Sequence, residues 1–144
     1  MAYSAVELAK YMVTYCFRKQ KPVSNLKLQK MLYFAWIDFY KITGRAIFLD
    51  DICAWHLGPV IPDVYYAFCA YAGTPIAKEF FVNIEERDAT IISNIIDRYL
   101  PISASTLVTK SHRNGGPWDK VYQDGCGNRD VIPFSLIKDM ECVG

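Results

Sequence analysis

The sequence predicts a mainly α fold: a single compact helical domain over residues 1–144 with a minor, short β element. Three observations lead there. Apolar residues recur every three to four positions through several long segments, the period of a helix with one buried face. Those segments open at Ser or Pro and close at Gly or Pro, the residues that start and stop helices. The remaining apolar runs are too short for more than brief strands. No internal repeat, low-complexity tract or long linker divides the chain.

The elements follow in order. Ser4 with Glu7 three residues on makes a capping box. Ala5, Ala9, Met12, Val13, Cys16 and Phe17 then form one face of a first helix, with Lys10, Tyr11, Thr14 and Arg18 opposite and Pro22 as its end. Ser24 or Asn25 caps a second helix that runs to Thr43, with Gly44 as its stop. Leu28, Met31, Leu32, Ala35, Phe39 and Ile42 line one side of it, but the other side carries Tyr33, Phe34 and Ile37 between Lys27, Lys30 and Lys41. A helix apolar on two sides is either central in its domain or half-covered by a partner, and both readings stay open.

Segments 46–48 and 52–56 suit a small hairpin turning at Asp50-Asp51. Gly58-Pro59 turns the chain, and Pro62 starts a third helix through Val64, Tyr65, Phe68, Cys69 and Ala72 that Gly73 stops. A short strand is expected around Phe80-Phe81-Val82. Glu85 and Glu86 precede a fourth helix with an Ile91, Ile92, Ile95, Ile96, Tyr99 face, closed by Pro101. Ser103 caps a fifth through Lys110, Pro117-Trp118-Asp119 begins a short sixth, residues 124–128 form a loop, and Pro133 begins a last helix ending near Glu141.

Composition excludes several classes. The net charge is +1, and the one basic cluster, Arg18-Lys19-Gln20-Lys21, falls at a helix end where positive charge complements the dipole. Nucleic acid is therefore not the expected partner. The five cysteines are odd in number and widely spaced, without a C-x-x-C, which argues for free thiols in a reducing cytoplasm. Neither His lies near a Cys at metal-site spacing, so no metal and no cofactor are expected. No apolar run reaches bilayer length and the N-terminus lacks a signal pattern, so no membrane partner is expected.

Chemistry has few candidates. His112, before Gly115-Gly116 and Pro117-Trp118, is the best general base, yet no nucleophile motif accompanies it, and a loop-fixing hydrogen bond serves equally. His56 reads as a structural histidine, and Asp50-Asp51 and Glu85-Glu86 as a turn and a helix start. Gly115-Gly116 lacks the spacing of a nucleotide-binding loop. The expectation is a binding protein rather than an enzyme. The aromatic residues Trp55, Tyr65, Tyr66 and Trp118 are the types that anchor interfaces, and Lys27, Lys30, Tyr33, Phe34 and Ile37 form an apolar strip with a basic edge.

The run Asn25-Leu26-Lys27-Leu28-Gln29-Lys30-Met31-Leu32-Tyr33-Phe34-Ala35 resembles the opening helix of the Panacea (SocA-like) antitoxin domain of phage-associated proteins. Gly44, Trp55, Gly58-Pro59-Val60 and Val64-Tyr65 follow in the family's order, then Ser111-His112, Pro117-Trp118 and the run from Ile132-Pro133 to Ile137. Residues 124–128 depart from it. The resemblance implies a helical domain that neutralises a cognate toxin by direct contact, usually encoded beside it in a prophage or mobile element. Its partner would be that toxin, with delivery to a protease as a further possible step. The alternatives are a small hydrolase-type enzyme using His112, and a prophage regulatory or scaffold protein without a toxin.

Overall fold

Helix α1 (Ala5–Arg18) opens as its sequence requires: the Glu7 N–H donates to Ser4 Oγ at 3.1 Å, and the Ser4 N–H to Glu7 Oε1 at 3.2 Å. The computed structural model describes residues 2–143. Helix α2 (Asn25–Thr43) takes Ser24 as its cap and ends where Gly44, at φ +74°, turns left-handed and donates to Tyr40 O. Helices α3 (Pro62–Phe68), α4 (Glu86–Tyr99), α5 (Ala104–Ser111), α6 (Pro117–Tyr122) and α7 (Phe134–Glu141) follow, with strands β1 (Cys53–Trp55) and β2 (Gly58–Val60) before α3. The fold is mainly α.

Helix α2 is the centre. It packs against α1, α3, α4, α5, α7 and β2, which is why it is apolar on two sides. Phe34 stacks on Tyr99 of α4 with ring centroids 5.4 Å apart. Trp36 lies between Tyr40 and Phe134 and donates its Nε1–H to Phe48 O at 3.0 Å. Arg45 pairs at 2.7 Å with the buried Asp88, which Tyr3 also reaches, tying the end of α2 and the N-terminal segment to α4.

The β element differs from expectation. Segment 46–48 does not pair with 52–56; Phe48 instead bridges Tyr3 in parallel, and Cys53, Ala54 and Trp55 pair antiparallel with Val60, Pro59 and Gly58. Ala54 and Pro59 form a non-hydrogen-bonded pair of the ladder, so the backbone groups of Ala54 face away from β2: its N–H donates to Asp130 O, and its carbonyl accepts from Arg129. The Ile132 N–H donates to Ile52 O at 2.7 Å. The loop at 124–128 thus leads into a return segment that completes β1.

Other boundaries shift for local reasons. Helix α3 ends at Phe68 and passes through a 3-10 turn, Cys69–Tyr71, before Gly73. Segment 80–82 pairs with no other strand among the described residues, so no ladder forms there. Ile42, placed by periodicity on the apolar stripe, is 56% exposed, because the stripe ends before the last turn of α2. Thr14, placed on the polar face, is buried: its hydroxyl receives the Phe80 N–H at 2.9 Å.

Candidate functional site

Strand β2 is held by three residues from distant parts of the chain. Lys30, wholly buried, donates from Nζ to Pro59 O at 2.9 Å. None of the ion pairs among the described residues includes it, and burial lowers its ammonium to about 7. Gly58 sits at φ +112°, and a Cβ there would lie 2.6 Å from Ser111 Oγ and 2.9 Å from Lys30 Cε. Glycine is needed twice over, for the dihedral and for the close approach. The turn residues His56 and Leu57 keep negative φ, so the left-handed reversal falls on Gly58.

His112 closes the third side. Its ring stacks on Trp118 with centroids 3.8 Å apart and planes 6° from parallel, and Trp118 stacks on Tyr122 at 4.5 Å. The Trp118 Nε1–H donates to Trp55 O at 2.8 Å, and His56 Nδ1 lies 3.2 Å from the Tyr122 hydroxyl. Burial, reinforced by Lys30 and His56, lowers the His112 pKa and favours a neutral ring. Its Nε2 is buried without a hydrogen-bond partner among the described residues. Ser111 donates its hydroxyl to Val108 O at 2.7 Å, and no hydrogen bond among the described residues links Ser111, Lys30 and His112. The cluster is built as a brace for the Gly58-Pro59 turn.

What the brace presents is aromatic and partly open. Trp55 meets Tyr65 edge-on at 5.0 Å and Tyr66 at 6.3 Å, with the Arg129 guanidinium 4.2 Å above its ring. Leu57, Tyr65 and Tyr66 are exposed. Beside them lies a cleft of about 380 Å³ walled by Leu26, Trp55, Leu57, Val60, Tyr65 and Cys69. Its polar floor is internally bonded: Gln29 donates to Asn25 Oδ1 and accepts the Ile61 N–H, and Asn25 donates to Tyr65 O. An apolar group entering it would displace no hydrogen bond of the protein.

The expected site residues divide. Gly58, Pro59, His112, Pro117 and Trp118 fall together around the brace, Trp55 and Tyr65 line the cleft, and Tyr66 sits beside them against both rings. The α2 strip does not face outward: Lys30, Tyr33, Phe34 and Ile37 are all buried, under α4, α5 and the chain after α7. Lys27 is half-buried, its Nζ donating to Leu100 O at 2.6 Å. The residues that sequence reasoning missed are Leu57, Leu26 and Arg129. An apolar Leu57 at a tight turn was the available signal for the first; the other two arrive only through tertiary contact. Among the described residues no group of three His, Cys, Asp or Glu could hold a metal, and no helix is long and apolar enough to cross a membrane.

A central helix clad by others, with a lysine–histidine–tryptophan brace behind a Gly-Pro turn, defines a mainly helical domain that holds one aromatic turn in place. The chain belongs to the family described as antitoxin SocA-like, Panacea domain, whose model matches residues 28–119. That range holds α2 from its fourth residue on, the hairpin, α3 and Lys30, Gly58, His112 and Trp118 of the brace. The chain is also similar to a protein named antitoxin SocA from Caulobacter vibrioides (strain NA1000 / CB15N), 37% identical over 113 residues. The match covers 69% of this chain and 60% of that protein, so the chain spans less than two thirds of its relative's length. No solved structure matches it.

Proposed function

We propose that the chain is an antitoxin that neutralises a cognate toxin by direct contact, and that the cleft beside Trp55 receives it. The observation that carries this reading is that exposed Leu57 and Tyr65 line an apolar cleft with a satisfied floor, with exposed Tyr66 packed edge-on beside it against Trp55 and Tyr65. Exposed aromatics on a rigid support are the composition of an interface hot spot. The partner chemistry that fits is a large apolar side chain entering the cleft, with a carboxylate beside it to meet Arg129. Family membership and the name of the similar protein supply the class of partner. Residues 1–144 act in this reading as one cytoplasmic domain, from a prophage or mobile-element pair.

The test is co-expression with the protein encoded beside it. That protein alone should arrest growth, and this chain should restore it. Leu57→Asp and Tyr66→Ala should fail to restore it while keeping their circular dichroism. If the unaltered chain gives no protection, the antitoxin reading falls; if both variants protect fully, the cleft is not the contact. Blotting for the toxin separates masking from delivery to a protease, because only delivery lowers its amount.

A further inference from the structure

Between the 3-10 turn after α3 and the start of α4, the chain crosses the outside of α1 as an extended strap. Phe80, Val82 and Ile84 are partly buried, while Glu79, Phe81, Asn83 and Glu85 are exposed. This alternation is that of a β-strand with one face on a core. Phe80 packs edge-on against Phe68 at 6.0 Å, whereas Phe81 is 99% exposed.

The strap has a strand's side-chain pattern without a ladder. Phe80 turns its N–H to Thr14 Oγ1 at 2.9 Å, and its carbonyl lies 3.5 Å from the same hydroxyl. Neighbouring residues of an extended chain direct their backbone groups to opposite edges. Counting from Phe80, that alternation turns those of Glu79, Phe81 and Asn83 away from α1, and it ends at Glu85, whose N–H donates to the Tyr3 hydroxyl at 3.2 Å. Among the described residues none of their N–H or C=O groups enters a hydrogen bond. An open edge carrying a fully exposed phenylalanine is what proteins normally cover or blunt.

We propose that this edge pairs with the same edge of a second copy of the chain, antiparallel about a two-fold axis at Phe81. The register follows from the residues. Hydrogen-bonded pairs must join positions that both face the open edge. A two-fold at Glu79 sets like charges opposite each other, and one at Val82 sets Glu79 against Glu85. An axis at Phe80 or Asn83 faces Phe81 with a carboxylate. The axis at Phe81 alone pairs the two phenylalanines, places Glu79 opposite Asn83 twice, and aligns Phe80 with Val82 on the inner face. This is an isologous contact that closes after two copies. Its small extent makes the association weak and concentration-dependent.

Sedimentation from micromolar to millimolar chain should show the mean mass climbing from 16.5 kDa toward twice that value. Phe81→Lys should remain at the lower mass with an unchanged circular dichroism spectrum, since Phe81 contributes nothing to the core. With the exposed Cys69 and Cys126 replaced by Ser, Phe81→Cys should form a disulfide-linked dimer on mild oxidation. Directly opposed Cα atoms of an antiparallel pair stand within disulfide range. Asn83→Cys, opposite Glu79, should link far less. A constant lower mass at every concentration overturns the proposal, as does a Phe81→Lys variant that still dimerises. If the chain stays monomeric and Phe81→Lys instead abolishes protection against the toxin, the edge takes a toxin strand and the second copy is excluded.

Discussion

Lys30 reaches Pro59 across the body of the protein, its Nζ donating to the proline carbonyl at 2.9 Å with no carboxylate in the contact. The bond couples the central helix to the turn that carries Leu57 and Trp55. Its lysine must shed water to make it, and that cost makes stability depend on pH.

A lysine whose folded pKa is lowered is destabilising while protonated in both states. Lys30 falls from 10.5 to about 7, so in that window the unfolded chain binds the extra proton and stability rises with pH. The slope reaches at most about 1.4 kcal/mol per pH unit. Cys16 acts oppositely: burial raises its thiol from 9.0 to about 12, so the folded state loses stability as pH climbs above 9. Urea unfolding should therefore show stability rising from pH 7 to about 9 and then levelling or falling. Lys30→Met should flatten the rising limb.

Gly58→Ala meets two obstacles, a φ of +112° and a Cβ 2.6 Å from Ser111 Oγ. Backbone strain alone costs about 1–3 kcal/mol. The variant should unfold at clearly lower denaturant than the unaltered chain, whereas Gly44→Ala, with open space around its Cβ, should lose less.

Trp118→Phe keeps a ring against His112 but removes the donor to Trp55 O. The expected loss is about 1 kcal/mol, read by thermal unfolding. Trp118→Ala removes the stack as well and should cost about 3–5 kcal/mol.

Ile37→Asp and Leu57→Asp separate core from surface. Ile37 is 5% exposed under the surrounding helices, so a carboxylate there should unfold the chain, as circular dichroism would report. Leu57 is 48% exposed, so the same change should leave the fold intact and, if the proposed contact is right, weaken partner binding by about 30-fold.

Helix existence was legible because caps and periodicity agree: Ser4, Ser24, Ser103, Pro62 and Pro117 all mark helix starts. The central position of α2 was half legible. Its two apolar sides fitted a core helix or a partner surface, and only the placement of α4 and α5 decides for the core. The brace was legible as Gly58-Pro59 and His112 with Trp118, but not as one object. Nothing in the local sequence says that Lys30 lies under Gly58, more than one element away. The hairpin was misplaced because segment 46–48 is as β-prone as 58–60 and Gly58-Pro59 reads as a turn; Pro59 fits β2 because it stands opposite Ala54 at a non-hydrogen-bonded position, while residues 129–132 bond the outer edge of β1.

That return also sets a schedule for the molecule. Ala54 is satisfied only when residues 129 and 130 arrive, and Ile52 only when residue 132 does. Contacts so distant in sequence form late, after the intervening chain has left the ribosome. A nascent chain halted before residue 129 therefore holds Trp55 and its neighbours on an unfinished strand, open to proteolysis. The cleft beside Trp55 would thus gain its finished support only after residue 132 has been made, long after its own walls.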